Sequence, residues 1–116
     1  MKIIAWLLLL MILIIPSVLP NTRGSEPESL TDTFRRVSLI TGVDYQLLQA
    51  IATVESNLDP WAIGDHGRSL GLMQIYLTTQ KHYGIPHHSL MFDPEINILV
   101  GAVHLKRLII VKITIN

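Results

Sequence analysis

Residues 47–74 read LLQAIATVESNLDPWAIGDHGRSLGLMQ, and this stretch decides the fold. It begins as an amphipathic helix, in which apolar side chains recur at helical spacing at Leu47, Leu48, Ile51 and Val54. We expect these side chains to face a core. Glu55 follows Ile51 by four residues and therefore belongs to the same face of the helix.

Glu55 is the candidate general acid of this stretch. The pattern predicts that its carboxylate lies at the edge of a buried apolar face. Desolvation disfavours the charged form of a carboxylate, and this is the environment that a general acid needs near neutral pH. The alternative is that the side chain extends into solvent near the end of the helix.

The segment that closes the stretch, Gly71-Leu72-Met73-Gln74, is a second candidate for ligand contact. A glycine before an apolar pair lets the backbone approach a ligand closely. The amide of Gln74 offers both donors and an acceptor to sugar or peptide groups. An ordinary entry from a loop into a helix, with Met73 in the core, is the alternative.

The rest of the domain follows from start and stop signals. Thr31 is predicted to cap a first helix that stops at Gly42, and Asp44 to cap the second helix. Residues 60–70 are rich in turn formers and are predicted to be irregular, followed by a third helix over 72–83. A fourth helix starts at Asp93-Pro94, with Asp93 as its cap. The predicted class is all-α.

The N-terminus is organised differently from this domain. Lys2 precedes an apolar run over residues 3–15, which Pro16 interrupts. This pattern is typical of a secretory signal peptide, although no clean cleavage site follows. Retention as an N-terminal membrane anchor is the alternative, although the run is shorter than the roughly 20 residues of a spanning helix. We divide the chain into this segment (1–24), a linker (25–30) and one small domain (31–116).

Composition excludes several other functions. The 116 residues carry nine basic and nine acidic side chains, so nucleic-acid binding has no electrostatic support. There is no cysteine, and an exported domain of this kind depends on packing alone. None of the five histidines has a ligand spacing typical of zinc. We therefore predict no metal and no cofactor.

Four fragments in one order then suggest a family. They are Glu55-Ser56 with Pro60, Gly71 to Ile75, Asp93-Pro94 with Asn97-Ile98, and Gly101-Ala102 with Leu105. Together they resemble the family 1 soluble lytic transglycosylases, and the resemblance covers roughly residues 34 to 108. The resemblance implies a lysozyme-like fold and cleavage of the glycan strands of bacterial peptidoglycan.

The resemblance also implies a mechanism and a site. In this family one glutamate, here Glu55, cleaves the MurNAc–GlcNAc β-1,4 bond as acid and base, and the product ends in 1,6-anhydromuramic acid. Met73 and Gln74 are implied to line the glycan cleft. Ser56 and Tyr76 are weaker contacts, and Tyr76 stands where family members often carry methionine.

A hydrolytic muramidase is the nearest enzymatic alternative. Hydrolysis of a glycosidic bond normally uses two carboxylates. Asp59 and Asp65, in the loop after Glu55, are the candidates for the second carboxylate. Asp59 precedes a proline, where a local hydrogen bond is the commoner role, whereas Asp65 could reach the cleft.

The C-terminal residues depart from the family pattern. Members of the family continue with a helix whose tyrosine completes the site, and residues 109–116 match nothing there. We interpret the chain as a truncated copy of the domain. An inactive homologue or a non-catalytic peptidoglycan-binding protein is therefore a further alternative, as is a small membrane protein.

The expected partner is the peptidoglycan glycan strand in the periplasm or cell envelope. The N-terminal segment is expected to engage the membrane during export. By analogy with short members of the family, a secretion or conjugation apparatus, or a phage entry system, is the expected setting.

Overall fold

The computed structural model describes residues 28–116. Its helices are α1 (Leu30–Thr41), α2 (Tyr45–Ser56), α3 (Leu77–His82) and α4 (Pro94–Ile115). Three short strands, β1 (Ile63–Gly64), β2 (Ser69–Leu70) and β3 (Ile75–Tyr76), lie between α2 and α3. Two 3-10 helices span Asp65–Gly67 and His88–Phe92. The predicted all-α class is confirmed, with a small sheet that the sequence did not predict.

The predicted export segment, residues 1–24, lies outside the described residues. The same is true of residues 25–27 of the predicted linker. Within residues 28–116, no helix combines the length and the apolar character needed to cross a membrane.

Capping residues set the ends of the first two helices. The prediction that Thr31 caps α1 is wrong, because the Ser29 hydroxyl accepts the N–H of Asp32 and the helix begins at Leu30. Gly42 ends α1 in a left-handed conformation at φ 76°, as predicted. Asp44 caps α2 as predicted, and its carboxylate accepts a backbone N–H of the first turn.

The segment between α2 and α3 is more regular than predicted. Residues 60–70 contain β1 and β2, and the central strand β2 pairs antiparallel with both β1 and β3. The predicted helix over 72–83 begins only at Leu77. Gly71 (φ 75°) and Gln74 (φ 48°) adopt left-handed backbone conformations that reverse the chain between β2 and β3. A helix cannot propagate through such a turn.

One hydrophobic core joins the helices and the sheet. Its fully buried apolar members lie in α1, α2, the 71–74 turn, the second 3-10 helix and α4: Phe34, Val37, Leu48, Ala52, Leu72, Met91, Ile98 and Ala102. The sheet adds Leu70 and Ile75, each 6% exposed. A two-pronged ion pair also joins α1 to α4, with Arg36 Nε and Nη2 donating to the Glu95 carboxylate at 3.1 and 3.0 Å. The packing holds the pieces of the candidate site on α2, the turn and α4 at fixed positions.

The face of α2 that packs against the core differs from the predicted apolar face. Leu48 and Ala52 are buried and Ile51 is partly buried, whereas Leu47 and Val54 are exposed. The prediction of a core position is therefore wrong for Leu47 and Val54. The face that packs recurs at Leu48, Ala52 and Ile51, and the other two side chains lie outside this arc.

α4 changes character along its length. Asp93 caps it and Pro94 is its first residue, as predicted. The first half is buried against the core, while the apolar side chains from Leu108 to Ile115 are exposed. The helix continues to Ile115 because the chain carries no stop signal after Leu108.

Candidate active site

A pocket of ≈ 290 Å³ lies where α2, the 71–74 turn, α3 and α4 meet. Four of the five predicted site residues line it, and residues of α4 form one of its walls. The lining residues are Ile51, Glu55, Met73, Gln74, Ile75, Tyr76, Thr79, Gly101, His104, Leu105 and Leu108. Glu55, Met73, Gln74 and Tyr76 therefore lie around one pocket.

Glu55 lies in the last turn of α2, and its side chain is exposed. It shares the pocket with Ile51, so the predicted common face of the two residues exists. Glu55 was expected at the edge of a buried face, with exposure to solvent near the helix end as the alternative. The side chain is exposed, because this face borders an open pocket rather than the core. Glu55 is the only carboxylate among the described residues that line the pocket.

Ser56 does not line the pocket but fixes the turn beside it. Its hydroxyl lies 2.8 Å from the carbonyl oxygen of Leu72 and 3.0 Å from that of Ala52, and donates between them. This contact ties the end of α2 to the 71–74 turn. The spacing between Glu55 and Met73 is thus set by the residue that follows the glutamate.

Met73 is buried with its sulfur against Gly101 of α4. A Cβ atom at position 101 would overlap the Met73 thioether, so the close approach requires glycine. The backbone N–H of Met73 donates to Asn97 Oδ1 at 2.8 Å. Side chain and backbone of Met73 are therefore both held by α4.

The amide of Gln74 is used within the protein. Its Nε2 donates to the carbonyl oxygens of Ala62 (3.2 Å) and Gly71 (3.0 Å), and its Oε1 accepts from the Ser69 hydroxyl at 2.9 Å. A Cβ at Gly64 would overlap this amide, so β1 passes directly beside it. A sugar that bound through the Gln74 amide would have to replace one of these hydrogen bonds.

Tyr76 extends over the pocket from β3, and its hydroxyl donates to the Asp65 carboxylate. This hydrogen bond, together with the negative charge of Asp65, raises the pKa of the Tyr76 phenol. Asp65 also lies 3.4 Å from the Ser69 hydroxyl. The carboxylate predicted as a second catalytic candidate thus orients a tyrosine at the rim of the pocket and does not line the pocket itself.

Asp59 has the local role that its position before Pro60 suggested. Its carboxylate accepts the N–H of Trp61 at 2.9 Å and closes a turn. Asp59 does not line the pocket.

Three of the five histidines hydrogen-bond to other side chains: His82 to Arg107, His88 to Gln80 and His104 to Tyr83. His104 lines the pocket, and its Nδ1 lies 3.3 Å from the Tyr83 hydroxyl. In the part of the chain from 28 to 116, no three His, Cys, Asp or Glu side chains converge on a position that could hold a metal ion.

Asn97 has a role in the site that its position in the sequence does not predict. It is 1% exposed, and its Nδ2 donates to the carbonyl oxygens of Leu70 and Met91, each at 2.9 Å. With the bond from Met73 N–H, it satisfies three backbone groups around the 71–74 turn. The available signal was a polar residue one turn after Asp93-Pro94, in the buried part of an apolar helix.

Comparison with solved structures identifies the fold. The chain is similar to the 70 kDa soluble lytic transglycosylase of Escherichia coli, with a TM-score of 0.55 and 31% sequence identity over 68% of this chain and 14% of that chain. This confirms the expected class, a small lysozyme-like helical domain.

Sequence comparison then gives the family. The model described as "Transglycosylase SLT domain" matches residues 32–111. Membrane-bound lytic murein transglycosylase C of Cronobacter sakazakii is 32% identical over 100 residues, and that of Edwardsiella ictaluri is 34% identical over 96 residues. These matches cover 79% and 76% of this chain but only 28% and 26% of the relatives. The chain belongs to the transglycosylase SLT domain family.

Proposed function

We propose that this chain is a lytic transglycosylase that cleaves peptidoglycan with Glu55 as its acid and base. The observation that carries the proposal is that, among residues 28–116, Glu55 is the only carboxylate lining a pocket whose other walls are largely apolar. The names of the relatives, which are lytic murein transglycosylases, support the same activity. The matched region, residues 32–111, contains every residue of this pocket.

The reaction needs one carboxylate. A glycan bound in the pocket excludes water from the reacting groups around Glu55. Glu55 then gives its proton to the oxygen of the MurNAc–GlcNAc bond as the bond from that oxygen to C1 breaks. The resulting carboxylate accepts the proton of the C6 hydroxyl of the same muramic acid, whose oxygen bonds to C1. The product is a 1,6-anhydro ring, and no water is consumed.

The remaining predicted site residues have distinct roles in this proposal. Met73 supplies an apolar wall beside the sugar, and Tyr76 offers a ring and a phenol oxygen at the rim. Gln74 and Ser56 act mainly by fixing the 71–74 turn, because their side-chain hydrogen bonds go to backbone carbonyls and to Ser69. The glycan contacts of Gln74 then come from its backbone or from an exchanged amide bond.

Peptidoglycan lies in the cell envelope, so we propose that the chain acts there. Relatives named as membrane-bound support this location. Export through the predicted segment 1–24 would deliver the domain to its substrate. Local opening of the wall for a secretion or conjugation machine is a role that this activity would serve.

A non-catalytic peptidoglycan-binding protein is the second candidate function. The exposure of Glu55 favours it, because its carboxylate is open to solvent before substrate binds, although apolar side chains line the pocket beside it. A hydrolytic muramidase is less favoured, since Asp65 is engaged by Tyr76 and Ser69 and is absent from the pocket lining.

Muropeptide release separates these functions. The full chain and Glu55→Gln are incubated with purified sacculi, and the soluble products are identified by mass spectrometry. We expect anhydromuropeptides from the wild type and a rate about 10²- to 10⁴-fold lower for the variant, which lacks the general acid. Reducing ends would indicate hydrolysis. Binding to sacculi without any release would indicate the non-catalytic protein.

A further inference from the structure

His104 is a polar residue on the wall of the Glu55 pocket to which the proposed reaction gives no role. It lies on α4 between Gly101 and Leu108, which line the same pocket. Residues three and four positions apart share one face of a helix, so His104 lies on the face of α4 that borders the pocket. Its side chain is half-buried there, and Leu105 lines the pocket beside it.

Most hydrogen-bond donors of the pocket are already used within the protein. Gln74 donates its amide hydrogens to two backbone carbonyls, and Tyr76 donates its phenolic hydrogen to a carboxylate. Sugars carry acceptor oxygens that need a donor when they leave water. Apart from Glu55, the polar side chains of residues 28–116 that remain to supply one in this pocket are Thr79 and His104.

The hydroxyl of Tyr83 determines which nitrogen of His104 carries the proton. It lies 3.3 Å from Nδ1, and the two rings meet edge to face with their centroids 5.9 Å apart. A phenol is a better donor than a neutral imidazole N–H, and an imidazole nitrogen is a better acceptor than a phenol oxygen, so Tyr83 donates to Nδ1 and the ring proton lies on Nε2. No hydrogen bond among residues 28–116 engages Nε2, which leaves this N–H to a ligand.

We propose that the Nε2–H group of His104 binds the carbonyl oxygen of an N-acetyl group on the glycan. This inference rests on the proposed function for the identity of the ligand. An N-acetyl group combines a carbonyl acceptor with a methyl group. The wall of α4 offers the matching pair, because the donor of His104 lies beside the apolar side chains of Leu105 and Leu108. His104 therefore selects N-acetylated sugars over sugars that have a hydroxyl group at the same carbon.

Binding of two neutral oligosaccharides tests this contact without any catalysis. The probes are the β-1,4-linked pentamers of N-acetylglucosamine and of glucose, which differ only in the acetamido or hydroxyl group at C2. Each is titrated calorimetrically into the full chain carrying Glu55→Gln, so that neither is cleaved. We expect the acetylated pentamer to bind more tightly. Adding His104→Phe should weaken its binding about three- to tenfold, the effect of one lost hydrogen bond, and bring its affinity towards that of the glucose pentamer.

Two polar variants of His104 separate the donor from the rest of the ring. His104→Gln places an amide nitrogen as many bonds from Cβ as Nε2 and should retain most of the affinity for the acetylated pentamer. His104→Asn reaches only as far as Nδ1 and should bind like His104→Phe. His87→Phe is the matched control, because it removes an exposed imidazole that does not line the pocket and should leave both affinities unchanged. Thr79→Val removes the other free donor and should reduce the preference for the acetylated pentamer less than His104→Phe does.

Several outcomes of the calorimetry would overturn the proposal. They are no binding of either pentamer, no preference for the acetylated one, the same proportional loss for both pentamers, or an unchanged affinity in His104→Asn and His104→Phe. Loss of the preference in Thr79→Val alone would assign the donor to that residue instead. Melting temperatures show which variants are folded, and the comparison of His104→Asn with His104→Gln decides the matter even where His104→Phe is not.

The tautomer of His104 is measured separately. Long-range proton–nitrogen correlation spectra of the isotope-labelled full chain distinguish the two ring nitrogens once the ring signals have stopped changing with rising pH. We expect the hydrogen on Nε2, and a mixture of tautomers in Tyr83→Phe. A hydrogen on Nδ1 would overturn the proposal.

Neither measurement depends on cleavage. Absence of Glu55-dependent muropeptide release would overturn the proposed activity, and the calorimetry and the tautomer would still decide the role of His104. A transglycosylase whose preference for the acetylated pentamer survives in His104→Asn would retain its activity and lose this contact.

Discussion

Asn97 of α4 accepts the backbone N–H of Met73 at 2.8 Å and so carries the 71–74 turn on the helix opposite Glu55. Its amide nitrogen donates to the carbonyls of Leu70 and Met91, and the side chain is 1% exposed. One buried amide therefore fixes the start and the middle of the turn relative to α4. The pocket keeps its shape because this amide is fully satisfied.

Replacing Asn97 by leucine should destabilise the domain strongly. Three buried backbone groups lose their partner, and each unsatisfied group costs about 1–3 kcal/mol, so we expect a loss of roughly 3 kcal/mol or more in the free energy of unfolding. Urea denaturation measures this change. Asn116→Leu, at the exposed end of α4, is the control and should leave the stability almost unchanged. A loss below 1 kcal/mol, on the scale of one ordinary hydrogen bond, would contradict this role for Asn97.

The contact between Gly101 and Met73 predicts that Gly101→Ala changes the free energy of unfolding in opposite directions in the wild type and in a Met73→Ala background. Gly101→Ala in the wild type should destabilise by about 1–3 kcal/mol, because the added methyl group overpacks against the Met73 thioether. In a Met73→Ala background the thioether is gone and only the Cβ atom of residue 73 stays close, at 3.3 Å from the added methyl group. The gain in helix propensity of about 1 kcal/mol should then outweigh this contact and make the same change stabilising. Thermal or urea unfolding of the four proteins measures the coupling. Equal effects in both backgrounds would show that the methionine simply moves aside.

The sequence predicted the features that depend on interactions between residues close together in the chain. Gly42, Asp44 and Asp93 act on backbone groups a few residues away, so they predicted helix ends correctly. The start of α1 was wrong because Ser29 and Thr31 are both good caps, and local pattern does not choose between them. Of the four residues grouped in the pocket, Glu55 was a candidate from helical spacing and Gln74 from its amide, whereas Tyr76 and the cleft position of Met73 came from the resemblance.

What the sequence did not predict depends on contacts between distant segments. The small sheet forms because Gly71 and Gln74 adopt positive φ angles and reverse the chain. A glutamine rarely adopts such a conformation, so the sequence does not predict the turn. The exposure of Glu55 follows from where α4 lies, which α2 alone cannot indicate. The role of Asn97 requires three carbonyl and amide groups from separate segments, so no spacing in α4 reveals it.

The amide of Gln74 should matter more for the turn than its carbon chain. Gln74→Glu removes the two donors to Ala62 and Gly71 and places an acceptor against both carbonyl oxygens. We expect it to cost about 2–4 kcal/mol, the penalty for two lost donors in a half-buried place. Gln46→Glu, on the exposed first turn of α2, is the matched control and should be close to neutral. Circular dichroism and urea unfolding report the stability, and a neutral Gln74→Glu would show that the amide bonds contribute little.

The hydrogen bond from Tyr76 to Asp65 predicts how the phenol titrates. Asp65 raises the pKa of the Tyr76 phenol because it accepts the phenolic proton and its charge opposes the phenolate. Asp65→Asn removes this charge and should lower the pKa of Tyr76. Ultraviolet titration measures this against Tyr76→Phe, which leaves the two other tyrosines and so isolates the signal of residue 76. Identical titration curves for wild type and Asp65→Asn would contradict the contact.

The raised pKa of the Tyr76 phenol also predicts that the protein loses stability at alkaline pH. The folded protein holds the phenolic proton more tightly than the unfolded chain, in which the pKa of the phenol has its ordinary value of 10.0. Above that value the unfolded state loses the proton first, so the free energy of unfolding falls as pH rises towards the folded pKa. The contribution of the hydrogen bond is therefore complete below pH 10 and is lost above it. Wild type should lose more stability than Tyr76→Phe between neutral pH and pH 11, as measured by urea unfolding, and parallel profiles would refute the assignment.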